Sequence, residues 1–148
     1  MNVLALAEAW WAQHSIHLDQ EPGGDRFGTI IIEGDTRAAP LRMVAIGDSM
    51  IAGCGVDDQA HGFTPDLAAV FSRVLNRSIA WESYGKLGAT VRRVRYRLLP
   101  EVEGRADLLV LCAGSNDLMA RRSLEEWRTD LAAAIDEAKR LSDNIVVF

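Results

Sequence analysis

Four short runs rich in apolar residues, separated by stretches of helical periodicity, constrain this chain more than any other feature. They are Leu41–Ile46, Ser78–Ser83, Ala106–Ala113 and Ile145–Phe148. Runs of this length, bounded by glycine, proline or polar residues, read as strands. Between the first two, Thr64 is expected to cap a helix with Pro65 at its first position. Its apolar face would be Leu67, Val70, Phe71, Val74 and Leu75, spaced i, i+3, i+4, i+7, i+8. Between the second and third, Thr90 caps a helix with Val91, Val94 and Leu98 inward, ended by Pro100. Between the third and fourth, Ser123 and Glu126 form a capping box. The buried face there is expected to be Leu124, Trp127, Leu131, Ile135, Ala138 and Leu141.

Strand, helix, strand, repeated, predicts a parallel sheet with right-handed crossovers. Nearly continuous apolar strands predict that both faces are covered. The expectation is an α/β fold whose core spans residues 41–148, preceded by an N-terminal helix and lead-in over residues 1–40. In that lead-in, Val3, Leu6, Ala7 and Trp10 fall at helical spacing, and Trp11 and His14 widen the stripe. The helix either packs on the domain or forms a partner contact. Glu21–Asp25 reads as a loop, Thr29–Glu33 as a short strand, and residues 34–40 as loop again. The sequence stops inside an apolar strand, so the domain is expected to be C-terminally truncated or completed by another subunit. The unfinished sheet edge and the N-terminal helix are the expected surfaces of a homo-oligomer.

Composition excludes some classes. A net charge of −5 points to no nucleic acid or anionic membrane as partner. No apolar run approaches the ~18 residues of a membrane span. The N-terminus lacks a basic region and carries Glu8, so it does not read as a signal peptide. Cys54 and Cys112 form neither a disulfide framework nor a metal-ligand spacing, and Cys112 reads as a buried small hydrophobe. His14 and His17 read as surface residues, not metal ligands. A reducing cytoplasm and no cofactor or metal are expected.

The chemistry lies in three loops that follow three successive strands: Gly47-Asp48-Ser49, Gly85-Lys86-Leu87-Gly88-Ala89-Thr90 and Gly114-Ser115-Asn116-Asp117. In a parallel sheet all three emerge on one edge, where sites of such folds form. Asp and Ser are also ordinary turn residues, so Gly-Asp-Ser alone says little. Together the loops supply a hydroxyl, a backbone N–H made approachable by glycine, and an amide side chain. Acyl transfer needs such parts: a nucleophile, and donors aimed at the developing oxyanion. The donors would be the Ser49 and Gly88 N–H groups and the Asn116 side chain. Asp48 and Asp117 are placed to orient the loops through local hydrogen bonds.

These three blocks, in this order, resemble those of the SGNH hydrolases, also called the GDSL-like esterase/lipase family. The resemblance covers roughly residues 41–148. It implies a flavodoxin-like three-layer α/β/α sandwich, Ser49 as nucleophile, Gly88 and Asn116 completing an oxyanion hole, and hydrolysis of small carboxylic esters without a cofactor. Met50 stands where the family usually has Leu, and Ser83 where many members carry Asn. The family's last block, Asp-x-x-His, which supplies the base and its orienting acid, is absent. His14, His17 and His61 all lie upstream of the third block. A serine hydroxyl is a weak nucleophile without a base. The chain is therefore expected to be inactive or nearly so. His61, in a loop with nearby carboxylates, reads as a solvated loop residue, with substitution for the missing base as the alternative. Arg92, Arg93, Arg95 and Arg97 follow the Gly88 loop on several helix faces and read as mostly solvated, with one available for an anionic substrate group. The competing function is a non-catalytic binding or assembly module on the same fold.

Overall fold

The computed structural model describes residues 20–37 and 39–148. The helix expected over residues 2–17, with His14, His17 and the two tryptophans, lies outside the described residues.

Five strands form one sheet in the order β1-β3-β2-β4-β5. They are β1 (Phe27–Ile30), β2 (Leu41–Gly47), β3 (Ile79–Gly85), β4 (Leu108–Cys112) and β5 (Ile145–Val147). β2, β3, β4 and β5 pair in parallel. β1 runs antiparallel to β3, so part of the lead-in is a strand of the core sheet. That strand begins two residues before the expected Thr29 and ends at Ile30. Gly28 sits opposite Trp81, and a Cβ at Gly28 would lie 2.9 Å from the indole. Only glycine admits the tryptophan at that register.

Alternate residues of the strands enter two cores. Val44, Ile46, Leu109 and Leu111 face Val91, Val94, Leu98, Ala134 and Ala138. Met43, Ala45, Val110, Ile79 and Trp81 face Ala68, with Phe63, Leu67 and Phe71 packed at the flank. The first core is covered by α2 (Val91–Arg93), which continues through a π turn over Val94–Leu98 and a 3-10 turn over Leu99–Glu101, and by a long helix over Leu124–Ala138. The second is covered by α1 (Phe63–Leu75). A short helix that periodicity did not reveal, α3 (Ser115–Met119), precedes the long one, here α4. The result is the expected three-layer α/β/α arrangement.

Two details of the sequence reading are corrected. The N-cap of α1 is Gly62, not Thr64. Thr64 is buried, and its hydroxyl donates to Ser83 Oγ across the core. The helix therefore turns Thr64, Pro65, Ala68 and Ser72 inward, where small residues permit close approach to the sheet. Val70, Val74 and Leu75, expected to be buried, are 45%, 75% and 48% exposed. On α4 the capping box forms as expected, with the Ser123 side chain accepting from Glu126 N–H and Glu126 accepting from Ser123 N–H. Leu124, expected to be buried, is exposed, and the helix is buried through Ala134 and Ala138.

Candidate active site

The three loops meet at the carboxyl edge of the sheet because their strands end in register. Gly47 pairs with Gly85 on one side and with Cys112 on the other. A Cβ at Gly47 would lie 2.0 Å from the Cys112 carbonyl, and one at Gly85 would lie 2.1 Å from Ala52 N. These two glycines let three backbones converge.

The first loop is held from behind. Asp48 is 6% exposed. Its carboxylate accepts from Met50 N–H and from Ser115 Oγ, each at 3.1 Å, so it ties the serine loop to the third block. The Ser49 carbonyl accepts from Cys54 N–H at 3.0 Å, and the Asp48 carbonyl from Ala52 N–H at 2.9 Å. Two side chains not foreseen as site residues support the same loop. Ser83 donates to the Ile51 carbonyl. Gln59, 2% exposed, donates to Ala52 O at 2.9 Å. In the sequence Ser83 was legible only as a position where many family members carry Asn, and Gln59 only as a polar residue of the His61 loop, with no signal of their partners. Ser49 is half-buried, and among the described residues neither its N–H nor its hydroxyl has a partner.

The second loop is a turn closed by Ala89 N–H on Lys86 O at 3.0 Å. Gly88 has φ +73°, and a Cβ there would meet nothing within 4 Å. The glycine is thus required for the left-handed backbone, not for the close approach the sequence suggested. Among the described residues its N–H also has no partner. Glu21 from the lead-in accepts from Leu87 N–H and pairs with Lys86, both at 2.9 Å, fixing the turn from outside.

The third loop is bonded to the second. Asn116 Nδ2 donates to Ala89 O at 3.0 Å. Asp117, 2% exposed, accepts from Val91 N–H at 2.7 Å and pairs with Arg122 at 2.9 Å. Arg122 in turn pairs with Asp130 at 2.7 Å. Ser49, Gly88 and Asn116 therefore sit on loops that hydrogen bonds tie into one frame. The thiol of Cys112, beneath this edge, is pushed up by burial and by the nearby Asp48 charge.

His61 stands apart from that frame. Its Nδ1 lies 2.8 Å from Asp57 Oδ1, an exposed pair, and no hydrogen bond joins it to Ser49. The Asp57 carboxylate raises the imidazole above its ordinary pKa. Among the described residues, no group of three or more His, Cys, Asp or Glu side chains is placed to hold a metal ion. No helix among them is long and apolar enough to cross a membrane.

Comparison with known proteins agrees with this geometry. AlinE4, an SGNH-hydrolase family esterase, superposes with a TM-score of 0.67 at 23% identity, covering 76% of this chain and 60% of its own. A lipolytic G-D-S-L family protein from Veillonella parvula gives 0.55 at 19% identity, covering 72% and 57%. A variant of Axe2, an acetyl xylan esterase from Geobacillus stearothermophilus, gives 0.53 at 20%, covering 72% and 58%. The chain thus spans about three fifths of the length of these structures. No curated protein matches it. The model of the GDSL-like lipase/acylhydrolase family matches residues 45–148, from within β2 to the last residue and across all three loops. The chain belongs to the GDSL-like lipase/acylhydrolase family.

Proposed function

We propose that this domain is built for hydrolysis of small carboxylic esters through an acyl-enzyme, and that its described residues hold the nucleophile and oxyanion parts without a base hydrogen-bonded to Ser49. The observation that carries the reading is the set of unpartnered donors at one sheet edge. Among the described residues, Ser49 N–H and Gly88 N–H have no acceptor, and Asn116 uses one amide hydrogen on Ala89 O, leaving the other free. In this reading Ser49 Oγ attacks the ester carbonyl. Its proton must leave as the bond forms, and the carbonyl oxygen becomes an oxyanion. Donors fixed in advance on a braced frame stabilise that charge without reorganisation, and each is worth about 10²–10³ in rate. Collapse expels the alcohol, and water then releases the acid.

Proton removal is the missing part. No histidine among the described residues is hydrogen-bonded to Ser49, and His61 is engaged by Asp57. That observation also favours a second reading, a binding module that keeps the oxyanion frame without turnover. The test is chemical rescue. The chain is incubated with a short-chain aryl ester and increasing imidazole, beside Ser49→Ala. Near-background turnover that imidazole raises more in the parent than in the variant supports the hydrolase reading. Equal rates in both, with no labelling of Ser49 by a serine-directed phosphonate, support the binding module.

A further inference from the structure

A groove of about 1450 Å³ lies at the β1–β3 edge, the opposite edge of the sheet from β5. Its floor is the part of the sheet that α2 does not cover. Ala80, Glu82 and Tyr84 alternate along β3 and line it, with Phe27 and Thr29 opposite them on β1. Its wall is the outer side of α2 and the π turn, with Arg92, Arg93, Tyr96 and Arg97. At one end it reaches Gly85, Lys86 and Thr90, which flank Gly88. The groove therefore runs up to the candidate oxyanion loop.

The charges in this groove are unevenly satisfied. Glu82 is held by Arg42 through two contacts of 2.7 and 2.8 Å and accepts from the Tyr84 hydroxyl at 3.0 Å. Glu21 is shared by Arg26, Lys86 and Leu87 N–H. Arg92 stacks on Tyr96, its guanidinium carbon 5.9 Å from the ring centroid, and lies near Glu126. Glu101, at the far end, is exposed. Arg93 and Arg97 are different: among the described residues, neither guanidinium has an ion pair or a hydrogen bond. They stand four apart on one strip of the helix, where like charges repel. Nothing among the described residues repays that repulsion, on a protein whose net charge is −5.

We propose that this groove is the subsite for an anionic group, a carboxylate or a phosphate, carried by the ester that Ser49 attacks. Arg93 and Arg97 receive the anion in forked hydrogen bonds. Tyr84, Tyr96 and Phe27 flank the body of the ligand. The proposal rests on the hydrolase reading for the words "that Ser49 attacks", and the binding itself does not.

The test reads binding, not turnover. The 148-residue chain and its Ser49→Ala variant are titrated with citrate and, separately, inorganic phosphate by calorimetry at low salt. Saturable binding that is equal in both chains, and about tenfold weaker in Arg93→Gln/Arg97→Gln, is expected. Arg128→Gln, which removes one exposed positive charge outside the groove, should leave it unchanged. The tighter of the two anions identifies the carboxylate or the phosphate as the natural group. Should the double variant fail to fold, Arg93→Gln and Arg97→Gln are measured singly, and each must weaken binding. No binding of either anion, or a loss in Arg128→Gln as large as in the groove variants, overturns the proposal. Failed imidazole rescue with intact binding would sink the hydrolase reading and leave the anion site standing.

Discussion

Two glycines of the second loop, three residues apart, do different things, and substitution should separate them. At Gly85 a methyl group would strike the Ala52 backbone, which cannot retreat without pulling the Ser49 loop off the sheet. Gly85→Ala is expected to destabilise the fold by about 1–3 kcal/mol, the usual cost of overpacking, or more because the clash is with backbone. At Gly88 the space is open and only the positive φ resists a side chain. Gly88→Ala should cost about 1–2 kcal/mol and leave the fold intact. Urea denaturation of both variants checks the order, and a larger loss at Gly88 would contradict it. The sequence made both look alike, as members of one glycine block. What distinguishes them is a contact with a residue 33 positions earlier in one case and a backbone angle in the other, and neither is written in the glycine itself.

The connections between elements depend on an ionic chain that begins at the third block. Asp117 receives Val91 N–H from the start of α2 and Arg122 from the turn before α4. Arg122 reaches Asp130 on α4, which also meets Arg95 at 3.5 Å, and Arg95 pairs with Glu137 at 2.8 Å. Asp117 and Asp130 are 2% and 6% exposed, so their charges depend on these partners. Arg122→Gln should leave two buried carboxylates short of a cation and cost about 3 kcal/mol. Thermal unfolding reads this directly, and a loss under about 0.5 kcal/mol, the usual range for surface substitutions, would show that the chain does not brace the loop. Helix starts and the capping box of α4 were legible because they are local patterns. The Asp117–Arg122–Asp130 pairing was not, since it joins α3, the turn after it and α4, three segments whose mutual packing no local pattern sets.

At the scale of the whole molecule, the lead-in and the core hold one another. β1 extends the sheet beyond β3, Glu21 clamps the Lys86–Gly88 turn, and Asp35 accepts from Ser78 N–H at 2.7 Å at the entrance to β3. That bond and the Arg37 guanidinium hold the Asp35 carboxyl far below the ordinary carboxylate range. A carboxyl whose pKa is lower folded than unfolded stabilises the fold above its unfolded value and loses that contribution as pH falls. Stability should therefore decline as pH drops below about 4, the ordinary Asp value. Asp35→Asn should flatten that decline while lowering stability near neutrality. Urea midpoints measured across this range for both chains test the sign, and parallel curves would refute it.

What the sequence determined by itself is the order of elements and the facing of β2 and β4, because a strand buried on both faces needs continuous apolar residues. It also determined that Ser49, Gly88 and Asn116 leave the same sheet edge, because parallel strands with right-handed crossovers leave no other arrangement. Tertiary structure decided the rest. Which side of α1 is buried followed from how closely Ala68 and Ser72 let the helix approach the sheet, and hydrophobicity alone pointed to Val70 and Val74 instead. The groove beside Arg93 and Arg97 exists because an antiparallel strand from the lead-in widens the sheet past the reach of α2. Periodicity reports what a segment can bury, but the fit of neighbouring segments settles what is buried and what is left open.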